Sequence, residues 1–178
     1  MTKRLLLLLP LLAFSINGFS QATAKKEKPK DPVSKEERYK KLKELYIKEL
    51  DSKSHQAADS LFQVFVYKMT LEIDLTELPD DPETYVDWVK DNLSKTEFKD
   101  VPEAEKLWGE YRQNTDITVE ENSAYYDYMM EAFKYEDGIA TNVKVMTDVM
   151  SDYPEKFKRI KLPERKTKKD FYPKMPGQ

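Results

Sequence analysis

The 178-residue chain has no cysteine, a single histidine and only four glycines, and it carries no apolar run long enough to cross a bilayer. Each scarcity excludes something. Without cysteine there is no disulfide framework, no thiolate nucleophile, no thiolate metal site and no cysteine to carry a lipid. With His55 alone, a histidine metal cluster or a Ser-His-Asp triad would have to be assembled around one ring, and its polar surroundings predict a surface or capping role instead. Two of the glycines, Gly18 and Gly177, sit near the chain ends. Their rarity argues against a turn-rich all-β protein and against a glycine-rich phosphate loop.

What is present begins with an address. Lys3 and Arg4 precede an apolar stretch over 5–14 broken only by Pro10, and Gly18-Phe19-Ser20 places small residues at a spacing that signal peptidase accepts. Residues 1–20 are read as a signal peptide, with the mature chain starting at Gln21 and cleavage after Ala24 as the alternative. The apolar stretch falls short of the roughly 20 residues needed to span a bilayer. The expected product is therefore exported, in the periplasm or outside the cell, with no transmembrane segment after cleavage. Its length suits one domain. Eleven tyrosines, eight phenylalanines and two tryptophans offer the buried area to stabilise it without covalent staples.

Charge is strongly partitioned. Residues 21–48 carry ten basic and five acidic side chains, 49–154 carry nine and twenty-five, and 155–178 carry nine and three. This divides the mature chain into a flexible basic linker over 21–33, a helical domain over 34–154 and a basic, proline-containing tail over 155–178, with both tails expected to be disordered. The basic ends either fold back on their own acidic domain or reach an anionic envelope surface. Lys156, Lys158, Arg159, Lys161, Arg165, Lys166, Lys168 and Lys169 are the candidate polyanion contacts. Export makes nucleic acid an unexpected partner.

The apolar spacing predicts an all-α fold, an irregular bundle of five or six helices. Ser34-Lys35-Glu36-Glu37 is a capping-box sequence, and Tyr39, Leu42, Tyr46 and Leu50 continue it as a stripe, giving a helix over 36–50. The stretch 61–75 fits two periods. Tyr67, Met69, Leu71, Ile73 and Leu75 alternate as in a strand, yet Ala58, Leu61, Phe62, Phe65, Met69 and Ile73 share a helical face. Helix is chosen because no second segment of comparable length shows strand alternation to pair with it, and Pro79 is expected to end it. Asp81-Pro82 opens the next helix, and Pro102 starts another of about three turns through Trp108 and Tyr111. Thr118-Val119-Glu120-Glu121 reads as a second capping box, followed by Tyr125, Tyr126, Met129, Met130 and Phe133. Asp137-Gly138 ends or interrupts that helix, and Val143, Met146, Val149 and Met150 resume the period up to Pro154.

No motif for catalysis, cofactor or metal emerges. Asp80, Asp81 and Glu83 offer hard oxygens for calcium, but they lack the spaced ligands and glycine of a loop site, and capping explains them. Glu120 and Glu121 suit a helix first turn. Tyr125, Tyr126, Met129, Met130 and Phe133 form either a core stripe, the reading preferred here, or an adaptable apolar interaction face. Glu103-Ala104-Glu105-Lys106-Leu107-Trp108, with Tyr111, resembles a short helical stretch of exported all-helical stress chaperones of the Spy and CpxP type. It covers nine residues, without the paired Leu-Thr-x-x-Gln motifs of that family. That resemblance implies client binding as an alternative function. The leading expectation is a non-enzymatic helical interaction or scaffold protein of the cell envelope. A binding or chaperone-like module using the Tyr/Met face comes second, and a carboxylate-dependent enzyme third.

Overall fold

The computed structural model describes residues 32–70, 78–157 and 159–164, and among these every regular element is helical. Residues 1–31, which include the expected signal peptide and most of the expected linker, and residues 165–178 lie outside the described residues, as do Leu71, Ile73 and Leu75. Six α-helices follow in order: α1 Lys35–Leu50, α2 Lys53–Met69, α3 Tyr85–Asn92, α4 Val101–Glu121, α5 Ser123–Ala132 and α6 Gly138–Asp152. Short 3-10 turns at Pro82–Thr84 and Leu93–Lys95 flank α3, and a third, Pro154–Phe157, follows α6. None of these helices is long and apolar enough to cross a membrane.

The caps follow the local sequence. Ser34 accepts a hydrogen bond from the Glu37 amide and Glu37 accepts one from the Ser34 amide, both at 3.2 Å, so the α1 capping box is complete. Asp81 accepts from the Glu83 amide at 3.0 Å and Asp100 from the Glu103 amide at 2.9 Å, each just ahead of a proline in the first turn.

The helices pack as two groups with separate cores. In the first, α2 lies against α4 with α3 alongside, enclosing Phe62, Phe65, Tyr85, Phe98, Trp108 and Tyr111. Phe65 meets Trp108 and Phe98 tilted, at 4.9 Å and 5.0 Å between centroids, and stacks on Tyr85, within the range where aromatic pairs add to simple burial. In the second, α1 packs on α5 and α6 around Leu42, Tyr46, Leu50, Tyr125, Met129, Phe133, Val145 and Val149. The second group is thus assembled from the two ends of the domain, with α2 to α4 inserted between them.

Charge pairing follows the same layout. Arg38, only 2 % exposed, pairs with Asp137 and places its guanidinium 5.0 Å from the Tyr135 ring centre. Lys43 reaches Asp152 at 2.7 Å, and the Tyr39 hydroxyl donates to Asp148 at 2.6 Å. Part of the basic N-terminal segment therefore lies on the acidic residues of α6 and the turn before it.

Three boundaries differ from the sequence reading. Among the described residues α2 ends at Met69, not at Pro79, with Thr70 as its C-cap; the Thr70 hydroxyl donates to the Val66 carbonyl at 2.9 Å. Thr118 is no N-cap: it is buried in the last turns of α4 and its hydroxyl donates to the Asn114 carbonyl at 2.8 Å. The real break is at buried Asn122, whose side-chain amide and backbone N–H both donate to the Thr118 carbonyl at 3.0 Å. Glu120 and Glu121 consequently occupy a helix C-terminus, the unfavourable end for negative charge.

The third difference is at the C-terminal end. The boundary at Pro154 separates charge but not packing, because the described part of the basic segment is placed against the body. Phe157 packs on the second core, Lys156 pairs with Asp51, the Ile160 amide donates to Gln63 at 3.1 Å, and the Tyr67 hydroxyl donates to the Pro163 carbonyl at 2.9 Å.

Candidate functional site

The two groups meet at a waist formed by the tight α1–α2 and α4–α5 junctions. At the first, Asp51 closes α1 and Ser52 caps α2 by accepting from the His55 amide at 3.2 Å, so His55 sits in a helix first turn. At the second, Asn122 alone separates α4 from α5. The Ser54 hydroxyl, on α2, donates to Glu121, on α4, at 2.6 Å and holds the ends of the inserted group together.

Glu49, 2 % exposed, is the central carboxylate of this waist. The Tyr126 hydroxyl donates to its Oε1 at 2.7 Å, and Nδ1 of His55 lies 3.3 Å from the same oxygen, at ion-pairing distance but outside hydrogen-bond geometry. Tyr46 and Tyr125 stack beside it with centroids 5.5 Å apart, and Tyr125 meets Tyr126 edge-on. Burial, followed by the negative charge of Glu49, pushes the hydroxyls of Tyr46, Tyr125 and Tyr126 far above the ordinary phenol range. They act as neutral hydrogen-bonding groups. This carboxylate–imidazole–phenol cluster is closed: Glu49 and His55 side chains are 3 % and 11 % exposed.

Beside it a groove of about 390 Å³ opens, lined by Leu50, Asp51, His55, Gln56, Asp59, Ser60, Glu155 and Lys156. Its lining is mostly polar, and the Ser60 hydroxyl donates to the Gln56 carbonyl at 2.8 Å instead of to His55. Burial raises the Asp59 carboxyl above its usual range, opposed by a 2.7 Å hydrogen bond from Gln63 and by the neighbouring His55. A carboxyl whose folded-state pKa is raised costs stability when ionised, and the cost disappears as pH falls through the folded-state value. Asp59→Asn is therefore expected to raise the thermal midpoint by a few degrees at pH 7, and by nothing near pH 3, where the native residue is already neutral. Melts of both proteins across that range check the sign.

The structure separates the sequence-predicted residues. Tyr125, Met129 and Phe133 are buried at 4, 3 and 4 % exposure, so they offer no free face, whereas Tyr126 and Met130 are half-buried around the same core. Of the basic candidates, Lys156 is half-buried on Asp51, and Arg159 and Lys161 are exposed. Lys158, Arg165, Lys166, Lys168 and Lys169 lie outside the described residues. Asp81 is a cap and Glu83 pairs with Arg112. No group of three or more potential metal ligands comes together among the described residues. Sequence reasoning missed Glu49, whose partners His55 and Tyr126 lie on other helices. The one local signal was an acidic residue on the apolar stripe of α1. Comparison with family models, curated proteins and solved structures finds no match for this chain.

Proposed function

We propose that this chain is an exported, non-enzymatic helical interaction protein of the cell envelope, whose acidic body is a scaffold and whose basic C-terminal segment meets an anionic surface. The observation that carries the reading is the docking of the first part of that segment along α2. It anchors a stretch with nine basic and three acidic residues to a body of opposite charge, with Arg159 and Lys161 on the outside. A scaffold role is further supported by the waist, where Glu49, Tyr126, Ser54 and Glu121 spend their polar groups holding helices together.

Sedimentation with vesicles tests it. The mature chain is expected to bind phosphatidylglycerol-containing vesicles and to ignore phosphatidylcholine alone. Removal of 165–178, which carries five basic residues and one acidic residue, should lower the affinity at least tenfold, since each basic side chain near such a surface contributes about 1 kcal/mol. Exposed charges are screened over about 8 Å at physiological salt, so binding must weaken steeply as salt rises. Equal binding by the truncated chain would overturn the role given to the segment. Intact-mass analysis of native material, expected to show loss of residues 1–20 or of four more, tests the export itself.

A further inference from the structure

The segment after α6 bridges both helical groups. Phe157 packs on the second core, Lys156 reaches Asp51 at the α1–α2 junction, and beyond them Ile160 and Pro163 are bonded to Gln63 and Tyr67, on the first group. Glu155 and Lys156 also form one wall of the polar groove, whose other walls come from the end of α1 and the first turns of α2. We propose that residues 154–157 and 159–164 form a releasable latch, which an anionic surface opens by taking Lys156 from Asp51, unmasking the groove and the Gln63–Tyr67 side of α2. This rests on the proposed surface recruitment and adds its regulation.

The attachment is of a kind that opens readily. Asp51 is 57 % exposed, and the bond from Tyr67 to Pro163 lies at the surface. Ile160 and Leu162 are half-buried, and no described residue from Pro154 onward is fully buried, while Val145 and Val149 of the preceding helix are completely enclosed. Lys156 is half-buried, but an ion pair whose carboxylate is largely in solvent stabilises little, and segments with few buried apolar contacts open well below the energy of global unfolding. The chemistry also couples the two events. One ammonium group cannot pair fully with both Asp51 and a lipid phosphate, so a surface that engages Lys156 favours the open form by that difference. The exposed Arg159 and Lys161 lie on the same stretch and would be drawn to the same surface.

The Ile160 amide, which donates to Gln63, reports the latch directly through hydrogen exchange. In the mature chain its exchange is expected to accelerate at least tenfold on phosphatidylglycerol-containing vesicles and not at all with phosphatidylcholine, while amides in the middle of α4 stay protected. Asp51→Asn should open the latch without vesicles, accelerating the same amide about two- to fivefold at low salt, the range that an exposed ion pair supports. Lys156→Gln should give a similar rise and reduce the further response to vesicles. Vesicle binding with unchanged Ile160 exchange would overturn the latch and leave recruitment standing. Absence of vesicle binding would overturn recruitment and with it the proposed trigger. Unaltered exchange in Asp51→Asn would overturn the ion pair as the fastening.

Discussion

Phe65→Ala is expected to lower the unfolding free energy by about 3–5 kcal/mol, the range for truncating a fully enclosed phenylalanine. Phe65 is completely buried and its ring is shared between α3, α4 and the turn before α4, through Tyr85, Trp108 and Phe98. The loss therefore combines transfer of the ring with contacts that three neighbours cannot remake, because they are pinned by one another. Both tryptophans belong to this group, Trp108 in the core and Trp88 against its edge. Denaturant titration followed by tryptophan emission and by far-ultraviolet circular dichroism checks the magnitude. A loss under 1 kcal/mol would mean that the aromatic cluster is not the principal support of α2.

Gly138→Ala should be the most damaging single-methyl addition, destabilising by about 2–3 kcal/mol through overpacking. A β-carbon at Gly138 would lie 1.8 Å from the Ala132 carbonyl oxygen and 2.4 Å from its carbon, and both are backbone atoms that cannot swing aside. The close approach lets α6 begin directly against the end of α5 after a five-residue turn, with Asp137 in that turn held by Arg38. Gly109→Ala is the matched control. It lies in the exposed middle of α4 with nothing within 4 Å of the added carbon, and should stabilise by about 0.5–1 kcal/mol through helix propensity alone. Opposite signs for the same chemical change would separate close backbone approach from intrinsic preference. Equal signs would refute the packing assigned to Gly138.

The helices themselves were legible because their signals are local. The Ser34 capping box and the Asp81-Pro82 start each operate within four residues, and both stand where their spacing placed them. Thr118 shows how such a signal misleads. Thr-x-x-Glu has the right letters for a cap, but a threonine hydroxyl can also satisfy itself on the carbonyl one turn back, and tertiary burial decides between the two. The waist was not legible at all, since Glu49 and Tyr126 meet across 77 positions and no periodicity encodes that encounter. Within the charged C-terminal segment Ile160 and Leu162 stand out in the sequence as possible docking points, and the bonds made by Ile160 and Pro163 place that stretch against α2, although nothing in the spacing says which helix receives it.

Chain order sets how this molecule must assemble. The α2–α4 group is contiguous, whereas joining α1 to α6 brings together residues as far apart as Lys43 and Asp152, 109 positions away, at a high loop-closure cost. Once the inserted group has condensed, Ser54 and Glu121 are neighbours and most of that intervening loop is already closed, so α1 and α5 begin close to each other. A rate-limiting nucleus within the aromatic group follows. Phe65→Ala should then act mainly by slowing refolding, and Gly138→Ala mainly by hastening unfolding, so that the two variants move opposite arms of the same chevron.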